Sequence, residues 1–149
     1  MIKMKSENKN VIELTEDVRL SYAHALKMYL QIHNEYRHIK FRTTDEEVQK
    51  KIPLLDKHFY DGTGKLKWDD IRTLLPPNLE ENITKAYKML TENEIRLCCL
   101  LLFDLNASEI CDILPYKQDS VYVVTYRIKR KTGMKDITRS LNTFLFALE

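Results

Sequence analysis

The chain is predicted to be all-α, and three observations predict it. Its 149 residues include only three glycines and four prolines, too few for the many tight turns of an all-β protein. Apolar residues recur at steps of three and four, the period of a helix face. Thr or Asn followed three residues later by Glu, a helix-start signature, precedes four of the predicted helices. The length suits one domain of ordinary size, or a small domain with a helical extension.

Residues 11–39 read as one long amphipathic helix. Val11, Leu14, Val18, Tyr22, Ala25, Tyr29, Ile32, Tyr36 and Ile39 form its stripe. Thr44 with Glu47 predicts the start of a second helix carrying Val48, Ile52, Leu55 and Phe59, and Pro53 is expected to kink or split it. The segment "YDGTGK" (60–65) holds two of the three glycines and reads as a turn. A short helix near 68–75 should stop at Pro76 and Pro77, and Asn78 with Glu81 should start another that runs to about Lys88. Thr91 with Glu94 and Asn106 with Glu109 then open two helices in close succession. After the turn "PYK" (115–117), a longer helix is expected over 118–132, stopped by Gly133. A last helix is expected over about 138–148.

Several function classes are disfavoured. The longest apolar run, 97–103, is seven residues, far short of the roughly 20 that cross a bilayer. The opening "MIKMKSENKN" has charge but no apolar stretch behind it, so no secretory leader is expected. Cys98, Cys99 and Cys111 sit among leucines and isoleucines, which suggests reduced, buried thiols and a cytoplasmic location. His24, His33, His38 and His58 lack the i, i+4 spacing of a helical metal pair. Paired acids such as Asp69 and Asp70 lie at helix starts, where the dipole accounts for them. No catalytic set, metal site, cofactor motif or small-molecule site is read from the sequence.

Charge is uneven along the chain. Residues 115–149 carry seven Lys or Arg against Asp119, Asp136 and Glu149, while the remainder is slightly acidic. A basic end on a neutral body is one pattern of nucleic-acid binders, and also what a solvated helix face looks like. The helix at 118–132 separates these readings. Val121, Val124, Thr125 and Ile128 recur at helical spacing and should face the core. Tyr122, Val123, Tyr126, Arg127, Lys129 and Arg130 then fall on the other side. Exposed tyrosines and valine cost solubility, so a merely solvated face has no reason to carry them. A helix built for the DNA major groove does, because base edges and thymine methyls accept such contacts while later cations meet phosphates. Two short helices joined by a three-residue turn, the second basic, describe a helix-turn-helix.

The stretch "LTENEIRLCCLLLFDLNASEICDILPYKQDSVYVVTYRIKRKTGM" (90–134) resembles the LuxR-type helix-turn-helix family. It is closest to the variant found at the C-terminus of larger sensory regulators. The matching positions are Leu90, Thr91, Glu94, Leu97, Leu105, Glu109, Ile110, Leu114, Ser120, Val121, Ile128, Lys131 and Gly133. The resemblance implies a four-helix domain whose third helix enters the major groove, and a dimer often formed through the fourth. The chain departs from the family at Asp104 (usually Gly), Cys111 (Ala), Lys117 (Ser), Thr132 (Leu) and Tyr122 (a charged contact residue). Lys117 forfeits a side-chain cap worth about 1 kcal/mol.

The expected architecture is therefore a helical region over 1–60, a helical lead-in over 61–88 and a four-helix domain over 89–149. The expected role is a sequence-specific, non-enzymatic transcription regulator that binds double-stranded DNA, as a homodimer. Gln118, Tyr122, Val123 and Tyr126 are assigned to bases, and Lys117, Arg127, Lys129, Arg130 and Lys131 to phosphates. The alternative is a protein-interaction module that keeps the scaffold and binds DNA weakly or not at all. The long first helix is either a coiled-coil seam or a face covered by residues 45–75.

Overall fold

The computed structural model describes the backbone of residues 2–142 and the side chains of residues 16–142. Eight helices and no strand appear among the described residues: α1 (Ile2–Arg42), α2 (Glu46–Phe59), α3 (Trp68–Thr73), α4 (Leu79–Ala86), α5 (Glu92–Leu102), α6 (Ala107–Cys111), α7 (Gln118–Thr132) and α8 (Ile137–Leu141). The all-α expectation holds.

The core is built around α5, whose apolar residues point in several directions at once. Leu97, Cys98, Cys99, Leu100 and Leu102 are all fully buried. A helix this apolar on all sides must be enclosed by neighbours, and α4, α7 and α8 pack against it. Leu79 and Ile83 come from α4, Val121, Val124 and Ile128 from α7, and Ile137 and Leu141 from α8. Leu26 and Leu30 of α1 join the same cluster. Burial of each such side chain is worth about 1.5–3 kcal/mol.

Both capping boxes in the last third form. Thr91 Oγ1 accepts from the Glu94 backbone N–H while Glu94 Oε1 accepts from the Thr91 N–H at 2.9 Å. Asn106 and Glu109 exchange the same two bonds, each 2.9 Å. Helix α7 has the predicted bounds, and Gly133 ends it in the left-handed region at φ +78°, where a side chain would be strained. The final helix falls within the described residues only as far as Leu141. Its expected continuation to 148 lies outside the described residues.

Other expectations are corrected. Asp45, not Thr44, caps α2, because its carboxylate accepts from the Glu47 and Val48 N–H groups. Pro53 does not split α2, which runs through it. The α1 hydroxyl of Tyr36 donates to the Ile52 carbonyl and the Asp56 carboxylate, which braces the turns on either side of the proline. Asn78 makes no side-chain cap and sits at φ +65°, a conformation Asn tolerates better than most residues.

The buried face of α1 is also rotated from the predicted stripe. Arg19, Ala23, Leu26, Leu30, His33 and Tyr36 are buried, whereas Val18, Ile32 and Ile39 are exposed. Val11 and Leu14 belong to side chains outside the described residues. The physical reason is that polar groups occupy the covered face where they have partners. Arg19 donates to the Asp104 carboxylate at 2.6 Å and to the Leu102 carbonyl at 3.4 Å. His33 Nε2 lies 2.8 Å from the Tyr60 hydroxyl. Covering α1 takes more than the 45–75 segment: Tyr22 packs on Phe103 of the α5–α6 junction, and Tyr36 stacks on Phe59 of α2. Two further ion pairs, Lys27 with Glu109 (3.2 Å) and Arg37 with Asp112 (3.4 Å), continue the row along α6.

Candidate nucleic-acid interface

Helix α7 has two faces. Val121, Val124 and Ile128 are buried and Thr125 is half-buried, with its hydroxyl donating to the Val121 carbonyl at 2.7 Å. On the other side Tyr122, Val123 and Tyr126 expose 71%, 59% and 63% of their surface. Three large apolar side chains this open on one two-turn stretch form a continuous patch.

The assigned cations divide into two groups. Arg127 and Arg130 are exposed and, with Val123, Tyr126 and Lys131, line a shallow groove along the helix. The Arg130 guanidinium lies 6.0 Å from the Tyr126 ring centre, close enough for a weak cation–π attraction. Lys117 and Gln118 are exposed at the start of α7, where Lys117 makes no capping bond. Lys129 is half-buried. Lys131 has a different engagement: its ammonium donates to Glu94 Oε1 at 2.7 Å.

That ion pair joins the end of α7 to the start of α5. Glu94 is only 3% exposed, and Oε1 already serves the capping box. Burial pushes the Glu94 carboxyl up, but the hydrogen bonds from Lys131 and Thr91 outweigh it and hold the group below its usual value. Glu94 thus stays ionised at neutral pH and uses the Lys131 charge internally. The assignment of Lys131 to a phosphate competes with this bond. Glu94 Oε2 is buried without a partner, so a second donor is wanting there.

Two cations not assigned from the sequence stand near the same end. Lys135 and Arg139 are exposed and line a cleft with Thr132, Gly133 and Asp136, just past the end of α7. Their charge was visible in the basic balance of the last 35 residues, but no periodicity ties them to α7. Asp104 takes φ +63° and binds Arg19. A residue that would be strained there is compensated by an ion pair to α1.

No group of three or more His, Cys, Asp or Glu among the described residues could hold a metal ion, and no described helix is long and apolar enough to cross a membrane. The three cysteines are free, with Cys98 and Cys99 buried and Cys111 half-buried. Burial raises the Cys98 thiol to about 12 and the Cys99 thiol well above its usual value, so neither is a ready nucleophile. In comparisons with protein-family models, curated proteins and solved structures, nothing matches this chain.

Proposed function

We propose that the protein is a non-enzymatic, cytoplasmic DNA-binding transcription regulator of the LuxR-like helix-turn-helix kind, with α7 as its groove-entering helix. The observation that carries this reading is the exposed row Tyr122, Val123, Tyr126 on a helix whose opposite face is locked into the core. In this reading those side chains and Gln118 meet base edges. Arg127, Lys129, Arg130 and Lys117 hold phosphates, Lys131 serves chiefly to fix α7 on α5, and no cofactor is required. The test is fluorescence-anisotropy titration of the full chain against a random-sequence duplex at several salt concentrations. Affinity should fall linearly in log–log with salt, because each phosphate contact releases counterions. Absence of binding at the lowest salt would refute the proposal.

The second reading is a protein-interaction module. It is favoured by the same patch, since tyrosines and an arginine around an apolar residue also suit a protein partner. Retention of a partner through α7 with no retention on duplex DNA would establish it.

A further inference from the structure

A cleft of about 390 Å³ opens where α1, the end of α2, the turn that follows it and the end of α6 meet, with no α7 residue in its lining. Arg37 and Lys40 of α1 and Lys65 of the turn converge on it, against two carboxylates, Asp56 and Asp112. With His33 neutral, the lining is positive by one charge. None of the three cations is fully engaged. Arg37 reaches Asp112 through one terminal nitrogen at 3.4 Å, the long end of a hydrogen bond. Lys40 donates to Asp56 at 2.8 Å. Lys65 donates to the neutral Cys111 carbonyl at 2.7 Å, a contact that leaves its charge unbalanced. Each of them keeps N–H groups to spare. Two rings flank these cations: Lys40 Nζ lies 5.5 Å from the Tyr60 ring centre and 5.6 Å from that of Phe41, which is 74% exposed. His33 adds an independent sign of a ligand. It lines the cleft, is 2% exposed, and its Nδ1 is buried without a partner. When Nε2 accepts from the Tyr60 hydroxyl, Nδ1 carries the N–H of the neutral imidazole and lacks an acceptor. A buried donor left unmade in a folded protein calls for a partner.

We infer that this cleft binds a small phosphate monoester, its phosphoryl oxygens held by Arg37, Lys40 and Lys65 and its planar remainder laid against Tyr60 and Phe41. Three cations arriving from two elements match the three terminal oxygens of a phosphoryl group, whereas a carboxylate offers two. The Arg37 fork can address two of those oxygens at once. A monoester carries about two negative charges at neutral pH, more than the local excess of one. The loose Arg37–Asp112 bond is therefore the one that yields, and it frees the guanidinium for the ligand. An oxygen seated beside His33 gives the Nδ1–H the acceptor it lacks. The size also fits, since ligand clefts of roughly 300–1,000 Å³ are usual. Because the walls belong to α1, α2 and the end of α6, a bound phosphate ties the long first helix to the helices of the last third.

The site contains no α7 residue and is tested without DNA. Phenyl phosphate is titrated into the isotope-labelled full chain at fixed pH and ionic strength while two-dimensional amide spectra are recorded, with inorganic phosphate and benzoate as comparison probes. Saturable shifts should appear at the Gly64, Lys65, Cys111 and Asp112 amides and leave the α7 amides in place. Phenyl phosphate should bind about threefold more tightly than inorganic phosphate through its ring, and benzoate more weakly than either. Lys65→Met should raise the Kd about tenfold, the effect of losing one charge-assisted hydrogen bond. Lys65 also fastens the turn to α6, so Arg37→Gln, at a half-exposed side chain, is the second variant. It should weaken binding to a similar extent with the parent's melting curve retained. Lys129→Ala should leave the titration unchanged. Shifts that do not saturate, shifts confined to α7, or an affinity that either cleft substitution leaves untouched overturn the proposal. Benzoate binding as tightly as the phosphates overturns the ligand class, and equal affinity for phenyl and inorganic phosphate overturns the ring seat. Because cleft and α7 amides report separately, failure of the DNA reading and failure of this one are told apart.

Discussion

Glu94 carries three duties on one carboxylate: it caps α5, accepts from Lys131 and remains charged in a buried place. Lys131→Ala strips its paired cation from a buried anion, and the unpaired carboxylate should cost about 1–3 kcal/mol in a urea melt. The loss should exceed that of Arg130→Ala, whose side chain is exposed. Because the folded Glu94 carboxyl is held below its ordinary 4.5, its contribution is complete above that pH and is lost as pH falls through the folded value. Glu94→Gln should flatten this acid limb of the stability profile, and an unchanged limb would show that other carboxylates dominate it. His33 acts at a different pH. Burial lowers its imidazole from the usual 6.5, against an opposing pull from Asp112 and with a further lowering by Arg37. The unfolded chain then takes up the proton first, so stability is complete above about 6.5 and declines as pH falls from there toward the folded value. His33→Gln, which keeps a polar partner for Tyr60, should remove that decline in thermal melts from pH 7.5 to 5.5.

At the level of elements, α7 and α1 offer contrasting legibility. The bounds of α7 and its buried and open faces could be read from the sequence because Val121, Val124 and Ile128 are apolar at helical spacing and Gly133 marks the stop. The α5 and α6 starts were equally plain, since a capping box is a local device whose two residues suffice to make it. The face of α1 was misjudged because Arg19 and His33 are covered while Val18 and Ile32 are not. Arg19 has a local partner in Glu16, but the residues that cover it, Leu102 and Asp104, lie more than 80 positions away, and no local pattern contains them. The same long-range pair accounts for a non-glycine residue, Asp104, at positive φ. Arg19→Ala should therefore loosen α1 selectively, visible as faster amide exchange over 16–30 with α7 amides nearly unchanged. Equal acceleration in both helices would mean that the pair steadies the whole core instead. If α7 enters the groove as proposed, replacing Lys129 and Arg130 by Ala should lower the salt slope of DNA binding by roughly one for each phosphate contact removed, for every sequence alike. Tyr126→Ala should instead change the ranking among sequences. A uniform loss would place Tyr126 on the backbone.

Across the whole molecule, α1 is joined to the remainder in two distinct ways. Covalently, the chain leaves it through the short connection around Thr43 and Thr44 into α2, a helix with no buried residue. Non-covalently, Ala23, Leu26 and Leu30 enter the common core, and Arg19, Lys27 and Arg37 fasten to Asp104, Glu109 and Asp112. The 60–66 loop adds a contact to α1, with the Tyr60 hydroxyl 2.8 Å from His33 Nε2. The peptide link at 43–44 is therefore the weaker of the two joints to protect and the less needed to hold α1 in place. A single cut there should yield two fragments that travel together through a sizing column and part only in denaturant. The two pieces, prepared separately and mixed, should rebuild the parent's spectrum by complementation, which makes α1 an exchangeable strut rather than a tether.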